Sequence, residues 1–204
     1  MCKIVVFEGI DGAGKTTLIN AVKEKIEKCG KKIMIERLAP IMVCKFKEIV
    51  DEKTGIQGHY QDTIDKEFRL YTYIIESILQ FEYKKGIYSQ YDYILFDRWM
   101  YTNYVYLGEI IWNKKWGKKL IQKIPTPDLT IWLKISSDNA LIRLEQKDDW
   151  MVKRYERSVL QERLEVLTKG YEDILSSQTA FCLDAMKDVD LLVKEVLELI
   201  DTIT

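Results

Sequence analysis

A glycine-rich segment near the N-terminus limits what this chain can fold into more than any other feature. Residues 9–16 read GIDGAGKT and match the pattern G-x-x-x-x-G-K-[ST] in full. An apolar run at residues 3–7 precedes the segment, and residues 16–28 carry apolar side chains at helical spacing. A strand, a glycine-rich turn and a helix in this order form a cradle for phosphate. The turn exposes backbone N–H groups, and the helix N-terminus adds positive potential.

The cradle predicts specific contacts to a nucleotide. The Lys15 ammonium would reach the β- and γ-phosphates, and the Thr16 hydroxyl would bind magnesium. We expect the phosphates to lie against the whole turn and the first helical residues, which are Gly9, Ile10, Asp11, Gly12, Ala13, Gly14, Lys15, Thr16 and Thr17.

A second motif lies at the end of a predicted buried strand. Residues 91–96 form a largely apolar run that is followed by Asp97 and Arg98. An acidic residue at this place helps to hold magnesium in P-loop proteins. The neighbouring arginine can bind a phosphate through two parallel N–H donors. We therefore expect Asp97 to serve the metal and Arg98 to serve a phosphate.

A cluster of cations occurs in the last third of the chain, in and after a predicted helix. Its members are Arg143, Lys147, Lys153 and Arg154. A segment that carries cations can close over a transferring phosphoryl group, exclude water and neutralise charge. A solvated helix end is the alternative interpretation of the same pattern. We expect a lid at about residues 143–156, with Arg154 as its main catalytic candidate.

Strand and helix patterns alternate along the chain. Strands are predicted at residues 3–7, 32–35, 91–96, 129–135 and 180–183, and helices at 16–28, 40–50, 63–85, 103–123, 137–146, 153–176 and 189–203, with a polar loop at 55–62. This alternation favours an α/β fold with a doubly wound, mostly parallel sheet. The length of 204 residues, without repeats or a linker, predicts one domain over residues 1–204.

Composition argues against several other classes of protein. The net charge of −1 provides no basic field for a nucleic acid polymer or an anionic membrane, and no apolar run reaches the span length of about 18 residues. The four cysteines have no C-x-x-C spacing, and the single histidine, His59, lies in a polar stretch. Neither a zinc site nor a histidine-dependent nucleophile is expected. Free thiols indicate a reducing compartment, so we expect a cytoplasmic protein.

These motifs together resemble the thymidylate kinase family of P-loop nucleoside and nucleotide kinases. Residues 7–17 (FEGIDGAGKTT) are very similar to the start of that family. Residues 97–108 (DRWMYTNYVYLG) are similar to its D-R-[YH]-x-x-S-x-x-A-Y-Q-G stretch, and residues 127–133 (PDLTIWL) to its P-D-L-T-x-x-L strand. Residues 154–156 and 170–171 resemble its lid and the helix that follows.

The resemblance implies a three-layer P-loop kinase fold with a five-stranded parallel sheet flanked by helices and a short lid. It implies ATP and Mg²⁺, a homodimer, and a nucleoside monophosphate acceptor, namely thymidylate (dTMP to dTDP) or a related deoxynucleotide. Catalysis would involve Lys15, Arg98 and Arg154, while Arg143 would contact ATP. Thr16 and Asp97 would hold the metal. The residues implied for the acceptor are Asp11, Glu36, Tyr71, Glu76, Arg98, Thr102 and Tyr106.

Two segments depart from the family pattern. Residues 35–40 read IERLAP where the family has R-E-P-G-[GT] after its second strand. The family also carries an arginine on its long middle helix that contacts thymine. Counting back from Asp97 leads to Glu76 at that place, and counting back from Gly86 leads to Tyr71, with Arg69 nearby. A carboxylate at the base edge would prefer a ring N–H or an exocyclic amine as its partner.

Two other functions remain open at this point. A deoxynucleoside kinase phosphorylates a sugar hydroxyl and benefits from a carboxylate base, a role that Glu36 could take at the end of the second strand. A P-loop regulator would bind a nucleotide with negligible turnover, although the chain lacks the guanine-reading N-K-x-D motif. A monophosphate kinase needs no strong general base, because its acceptor is already an anion and has only to be positioned.

Overall fold

A parallel sheet of five strands forms the centre of the fold. The computed structural model describes residues 2–38, 41–107, 119–120, 122–176 and 180–203. The strands are β1 (Lys3–Glu8), β2 (Ile33–Glu36), β3 (Tyr93–Asp97), β4 (Leu129–Lys134) and β5 (Ala180–Asp184). Their order across the sheet is β2-β3-β1-β4-β5. The predicted α/β class and the five-stranded parallel sheet are therefore confirmed.

Helices connect and flank these strands. They are α1 (Lys15–Lys28), α2 (Ile41–Thr54), α3 (Tyr60–Thr63), α4 (Lys66–Tyr88), α5 (Met100–Leu107), α6 (Ser137–Gln146), α7 (Trp150–Arg154), α8 (Arg157–Leu175) and α9 (Val189–Asp201). Side-chain oxygens at several N-termini accept backbone N–H bonds, as Asp65 does for α4 and Asp149 for α7. No helix in the described part of the chain is long and apolar enough to cross a membrane.

The core divides into two clusters because successive residues of a strand point to opposite faces of the sheet. Val5 and Leu95 pack in a large cluster with apolar residues of α1, α6, α8 and α9. Val6 and Phe96, their neighbours along the strands, pack in a second cluster with α4. Burial of both faces explains why the strand sequences are continuous apolar runs rather than alternating ones.

The strand order places the functional loops at one edge of the sheet. Strands β1 and β3 are adjacent, with Phe7 opposite Asp97. The chain leaves β1 toward β2 on one side and leaves β3 toward β4 on the other, so these two strands mark a switch point of the topology. Ligands of open parallel sheets bind outside the carboxyl ends of the strands at such a point. The glycine-rich turn follows β1, and Arg98 follows β3.

The helix predicted at residues 103–123 begins earlier than its sequence pattern indicates. Helix α5 starts at Met100, and residues 122–124 form a turn, so both predicted ends are wrong. The early start has a tertiary cause, because the Glu8 carboxylate accepts the backbone N–H groups of Trp99 and Thr102. Residues 108–118 and 121 of this prediction lie outside the described residues.

The helix predicted at residues 153–176 is interrupted in the structure. Tyr155 and Glu156 have extended backbone between α7 and α8. The interruption turns the chain after the cations of the predicted lid, so α7 and α8 are separate elements. The polar loop predicted at residues 55–62 is also partly wrong, because α3 begins at Tyr60 within it.

Candidate active site

The turn after β1 requires glycine at particular positions. Gly9, Gly12 and Gly14 have φ angles of 143°, 85° and 89°, a backbone region that side chains disfavour. A Cβ atom on Gly9 would lie 2.6 Å from the Leu133 carbonyl oxygen, and one on Gly12 would lie 2.7 Å from that of Ala140. The turn thus packs directly on β4 and α6, which holds its backbone N–H groups in place.

The ammonium of Lys15 is folded back onto this turn. Lys15 Nζ donates to the carbonyl oxygens of Gly9 at 2.9 Å and Ile10 at 2.8 Å, and the side chain is buried. Burial, together with the nearby Arg98 charge, lowers the pKa of Lys15 to about 7. An incoming phosphate would stabilise the charged form of this group.

Thr16 and Asp97 form the candidate magnesium site. Thr16 Oγ1 donates to Asp97 Oδ2 at 3.2 Å. Asp97 Oδ1 is buried, with no hydrogen-bond partner among the described residues. A buried carboxylate oxygen without a partner is costly unless something else satisfies it. Oxygen donors are the ligands that Mg²⁺ prefers, so this pair fits the predicted metal.

Arg98 occupies the space between the turn and the large cavity described below. Its φ angle is 78°, which is unusual for a residue with a side chain. The guanidinium donates to the Gly9 carbonyl oxygen at 3.1 Å and to the Tyr171 hydroxyl at 3.2 Å, and it pairs with Asp11. The aromatic ring of Tyr106 lies 5.2 Å from its central carbon. These contacts fix one planar donor group beside the phosphate cradle.

Asp11 balances the positive charge at this place. Its carboxylate pairs with Arg98 and accepts the Tyr106 hydroxyl at 2.6 Å. Burial by itself would raise the pKa of Asp11, but the Arg98 and Lys15 charges outweigh burial and lower that pKa to about 2. Asp11 is therefore an anion at neutral pH, and its negative charge partly offsets that of Arg98.

A cavity of about 910 Å³ opens next to Arg98. That volume is in the range of small-molecule sites, which is about 300–1,000 Å³. Four residues predicted to contact the acceptor line it, namely Asp11, Arg98, Thr102 and Tyr106. Several cations that no sequence pattern had marked also line it, namely Arg37, Lys47, Lys66 and Arg163, while Arg69 was expected only as a neighbour of the thymine-contacting position. They come from the end of β2 and from α2, α4 and α8, which are distant in the chain.

Two other residues predicted for the acceptor lie outside the wall of this cavity. Glu36 pairs with Lys84, and the Tyr88 hydroxyl donates to it at 3.3 Å. Glu76 accepts the backbone N–H groups of Met42 at 2.7 Å and Val43 at 3.3 Å at the start of α2. Both carboxylates are thus engaged within the protein, and their contact with the acceptor stays a prediction.

Tyr71 and Arg69 lie one turn or more before Glu76 on α4. Tyr71 packs against the smaller core cluster, and its contact with a nucleotide stays a prediction. Arg69 lines the cavity, and its guanidinium lies 5.8 Å from the centre of the Tyr60 ring. The Nε atom of Arg69 is buried without a hydrogen-bond partner among the described residues.

The predicted lid cation Arg154 is bound to the α2–α3 segment. It donates to the Gln57 carbonyl oxygen at 2.7 Å and pairs with Asp62. The ring of Trp150 covers Gly58 so closely that a Cβ atom there would lie 2.5 Å from it. Helix α7 therefore lies across the cavity, with Arg154 directed at α3. A role for Arg154 at the transferring phosphate remains a prediction.

Arg143 lies behind the phosphate cradle. Its guanidinium donates to the carbonyl oxygen of Ala185 at 2.9 Å, and it approaches those of Gly12 and Ala13 at 3.4 Å. These bonds join α6 to the cradle and to the turn after β5. Its predicted contact with ATP would come from this outer side of the cradle.

Comparison with known proteins agrees with this geometry. A family model described as thymidylate kinase matches residues 7–196. A protein named probable thymidylate kinase from Sulfurisphaera tokodaii is 26% identical over 200 residues, which cover 98% of this chain and 96% of that protein. The thymidylate kinase of Leptospira interrogans is 28% identical over 203 residues (96% and 92%), and that of Mycoplasma mobile is 28% identical over 225 residues (98% and 98%). The chain belongs to the thymidylate kinase family.

Proposed function

We propose that the protein transfers the γ-phosphoryl group of ATP to dTMP and so forms ADP and dTDP. The observation that supports this most directly is the position of Arg98, which contacts the phosphate cradle at Gly9 and also lines the large cavity. One guanidinium at this junction can hold an acceptor phosphate close to the γ-phosphate. The thymidylate kinase names of the relatives support the choice of dTMP.

In this reaction the protein acts by positioning and by charge neutralisation. The acceptor phosphate oxygen attacks the γ-phosphorus, the bond to the β-phosphate oxygen breaks, and no proton has to be removed from a hydroxyl. The Lys15 ammonium would bind the β- and γ-phosphates and offset their negative charge, and the Arg98 guanidinium would bind the acceptor phosphate. A freed Arg154 could add a second guanidinium from α7. Arg143 would contact the nucleoside part of ATP from the outer side of the cradle.

Thr16 and Asp97 would hold Mg²⁺ next to Lys15. Held there, Mg²⁺ would offset the negative charge of the phosphates. The unpartnered Asp97 Oδ1 supports this assignment, because a metal or a metal-bound water would satisfy it. The domain as a whole, residues 1–204, would serve this one reaction in a reducing cytoplasm, which its free cysteines suit.

The state of Glu36 supports a phosphate acceptor over a nucleoside. A general base for a sugar hydroxyl must reach that hydroxyl. Glu36 instead forms a half-buried ion pair with Lys84 and accepts the backbone N–H of Arg37 at 3.0 Å. The next residue, Arg37, lines the cavity, and its positive charge suits an anionic acceptor.

Two donors in the cavity suit a base that presents carbonyl groups. Arg69 supplies a buried Nε–H without a partner among the described residues, and Lys47 lines the same cavity. Thymine presents carbonyl oxygens that accept such donors. Glu76, which could have favoured an amino-bearing base, is bonded to the start of α2 instead. This arrangement supports a base with exposed carbonyl groups.

A panel assay tests the proposal. ATP and Mg²⁺ would be offered with each nucleoside and each nucleoside monophosphate, and ADP release would be measured. We expect dTMP to give the highest kcat/KM, with nucleosides inactive. Activity on nucleosides but not on monophosphates would overturn the proposal, whereas a preference for another monophosphate would retain the chemistry and change the base.

A homodimer is the second part of the proposal. Helix α4 carries a row of exposed apolar side chains at positions that share one helical face. They are Phe68, Ile75, Leu79, Tyr83 and Ile87. Large exposed apolar patches mark interaction surfaces. A second copy of this chain, facing the same helix, would cover them.

A further inference from the structure

Glu8, the last residue of β1, is a fully buried carboxylate that the proposed transfer does not use. Its Oε1 accepts the backbone N–H of Trp99 at 2.7 Å and that of Thr102 at 3.3 Å. Its Oε2 accepts the Thr102 hydroxyl at 2.7 Å and the Tyr171 hydroxyl at 2.9 Å. The Thr102 and Tyr171 hydroxyl oxygens also lie 2.7 Å apart, so the carboxyl and the two hydroxyls form one hydrogen-bonded network.

The Glu8 carboxyl lies at the centre of a buried polar network, between the backbone N–H groups of Trp99 and Thr102 and the hydroxyls of Thr102 and Tyr171. Burial raises the pKa of Glu8, and the hydrogen bonds together with the charge of Arg98 offset only part of that rise. These contacts fix the position of the carboxyl relative to Trp99, Thr102 and Tyr171.

The residues that bind Glu8 are neighbours of Arg98, either along the chain or through direct contact with its side chain. Arg98 has a φ angle of 78°, and its own N–H donates to the Phe7 carbonyl oxygen at 3.0 Å. The next residue, Trp99, is held by Glu8, and its ring packs 4.7 Å from that of Phe96. Tyr171 donates to Glu8 and accepts from the Arg98 guanidinium at 3.2 Å.

We propose that Glu8 is a positioning residue, which holds the backbone turn and the guanidinium of Arg98 in the orientation that binds the acceptor phosphate. The proposal rests on the function proposed above, and in particular on Arg98 as the phosphate contact. A left-handed backbone at a residue with a side chain is strained, and it persists only where the surrounding structure holds it. The bond from Trp99 to Glu8 imposes it here. Without that bond, Arg98 can relax to an ordinary conformation and turn its donors away from the cavity.

The test is Glu8→Gln, which keeps the size of the side chain. Its amide retains one oxygen, and its NH₂ group would face donors instead of accepting from them. We expect the KM for the monophosphate to rise about tenfold or more, because the amide cannot accept from all the groups that Glu8 holds and Arg98 would lose its fixed orientation. The KM for ATP should change by less than about twofold.

A double-mutant cycle separates positioning from a general loss of structure. In an Arg98→Ala background, Glu8→Gln should cause no further rise in the monophosphate KM, since the group it positions is gone. Ser77→Ala is the matched control, because Ser77 is buried and bonded to the Tyr73 carbonyl oxygen, away from Arg98. It should leave both KM values unchanged. Equal rises in both KM values for Glu8→Gln, or additive effects in the cycle, would overturn the proposal.

Tyr171→Phe provides a second route if Glu8→Gln does not fold. It removes one donor to Glu8 and one acceptor of Arg98, while the ring stays buried. The monophosphate KM should rise and the ATP KM should not. If Arg98→Ala weakens the acceptor while Glu8→Gln and Tyr171→Phe do not, the role of Glu8 is wrong and the proposed function stands. A wild-type protein without activity on any monophosphate would overturn both.

Discussion

At the scale of single residues, the site is defined by the way buried charges share a small volume. Lys15, Arg98 and Asp11 are all within the network around the phosphate cradle, together with the buried Glu8. Carbonyl oxygens, the Asp11 carboxylate and the Tyr171 hydroxyl accept from the two cations, and the Tyr106 ring lies beside Arg98. These contacts hold both charges in fixed positions beside the cradle, which is the preorganisation that phosphoryl transfer needs.

The first prediction concerns the stability of the protein against pH. The pKa of Lys15 falls from 10.5 to about 7 on folding, so between these values the unfolded chain binds more protons than the folded one. Stability from this group therefore rises as the pH increases from 7 toward 10.5, by at most about 1.4 kcal/mol per pH unit. Urea unfolding between pH 7 and 9.5 measures it. Lys15→Met should show a smaller positive slope, and identical slopes would contradict the assignment.

At the scale of elements, the Glu76 carboxylate on α4 connects that helix to the N-terminus of α2. It accepts the backbone N–H groups of Met42 and Val43 in the first turn of α2 and so caps this helix from another element. The effect resembles local capping, although the cap residue lies more than thirty positions away in the chain.

The second prediction follows from this cap. Glu76→Ala should lower the free energy of unfolding by about 1 kcal/mol, the typical value of a helix cap. Denaturant titration measures the loss. Glu82→Ala, at an exposed position of the same helix, is the control and should have little effect.

The preference among monophosphates should stay the same in the Glu76→Arg variant. A shift toward dTMP in that variant would place Glu76 at the base after all.

The predicted lid role of Arg154 would set two partners in competition for one cation. Arg154 is bonded to Gln57 and Asp62, so it would have to leave them to contact the γ-phosphate. Asp62 is more than half exposed, so its ion pair is weakened by solvent. The proposed nucleotide would then offer Arg154 a more highly charged partner.

The third prediction uses this competition. Asp62→Asn should free Arg154 and lower the KM for ATP about two- to fivefold, since less energy is needed to leave the α3 contact. Steady-state kinetics at fixed dTMP measures the change. Asp148→Asn removes a comparable exposed partner, that of Lys153, and should leave the ATP KM unaltered. Equal KM values for wild type and Asp62→Asn would show that the contact does not hold Arg154 back.

At the scale of the whole molecule, the order β2-β3-β1-β4-β5 brings the ends of β1 and β3 together and opens the cavity beside them. Helices α2, α4, α5 and α8 complete its wall. The same packing leaves the apolar row on α4 exposed, because a long helix can bury only one of its faces against the sheet.

The fourth prediction concerns this row. Leu79 lies in the middle of the row and is 58% exposed, so a charge at this position would be buried in a dimer. Leu79→Glu should therefore shift the protein from dimer to monomer at micromolar concentration, because an unpaired buried charge is strongly unfavourable. Analytical ultracentrifugation measures the shift. Lys85→Glu introduces the same acidic side chain elsewhere on the exposed surface of α4 and should leave the assembly intact. A wild-type monomer would refute the dimer directly.

Local patterns in the sequence are enough to predict the phosphate cradle, the strand–helix alternation and the Asp97–Arg98 pair. These features depend on neighbours within a few residues. A strand shows an apolar run, a helix shows a 3.6-residue period, and a glycine-rich turn needs its glycines at fixed spacing. For the same reason, the five strands and most of the helices appear near their predicted bounds.

Which side chains meet around the cavity depends instead on contacts between distant segments of the chain. Glu8 looks like an ordinary strand end, yet its partner Tyr171 lies 163 positions away in the chain. Arg37 and Arg163 carry no local signal, and they reach the same cavity because β2 and α8 converge on it. Arg154 has the sequence context of a lid cation, but the fold gives it Asp62 as a neighbour. Contacts between distant segments depend on strand order and helix packing, which the periodicity of one segment does not encode.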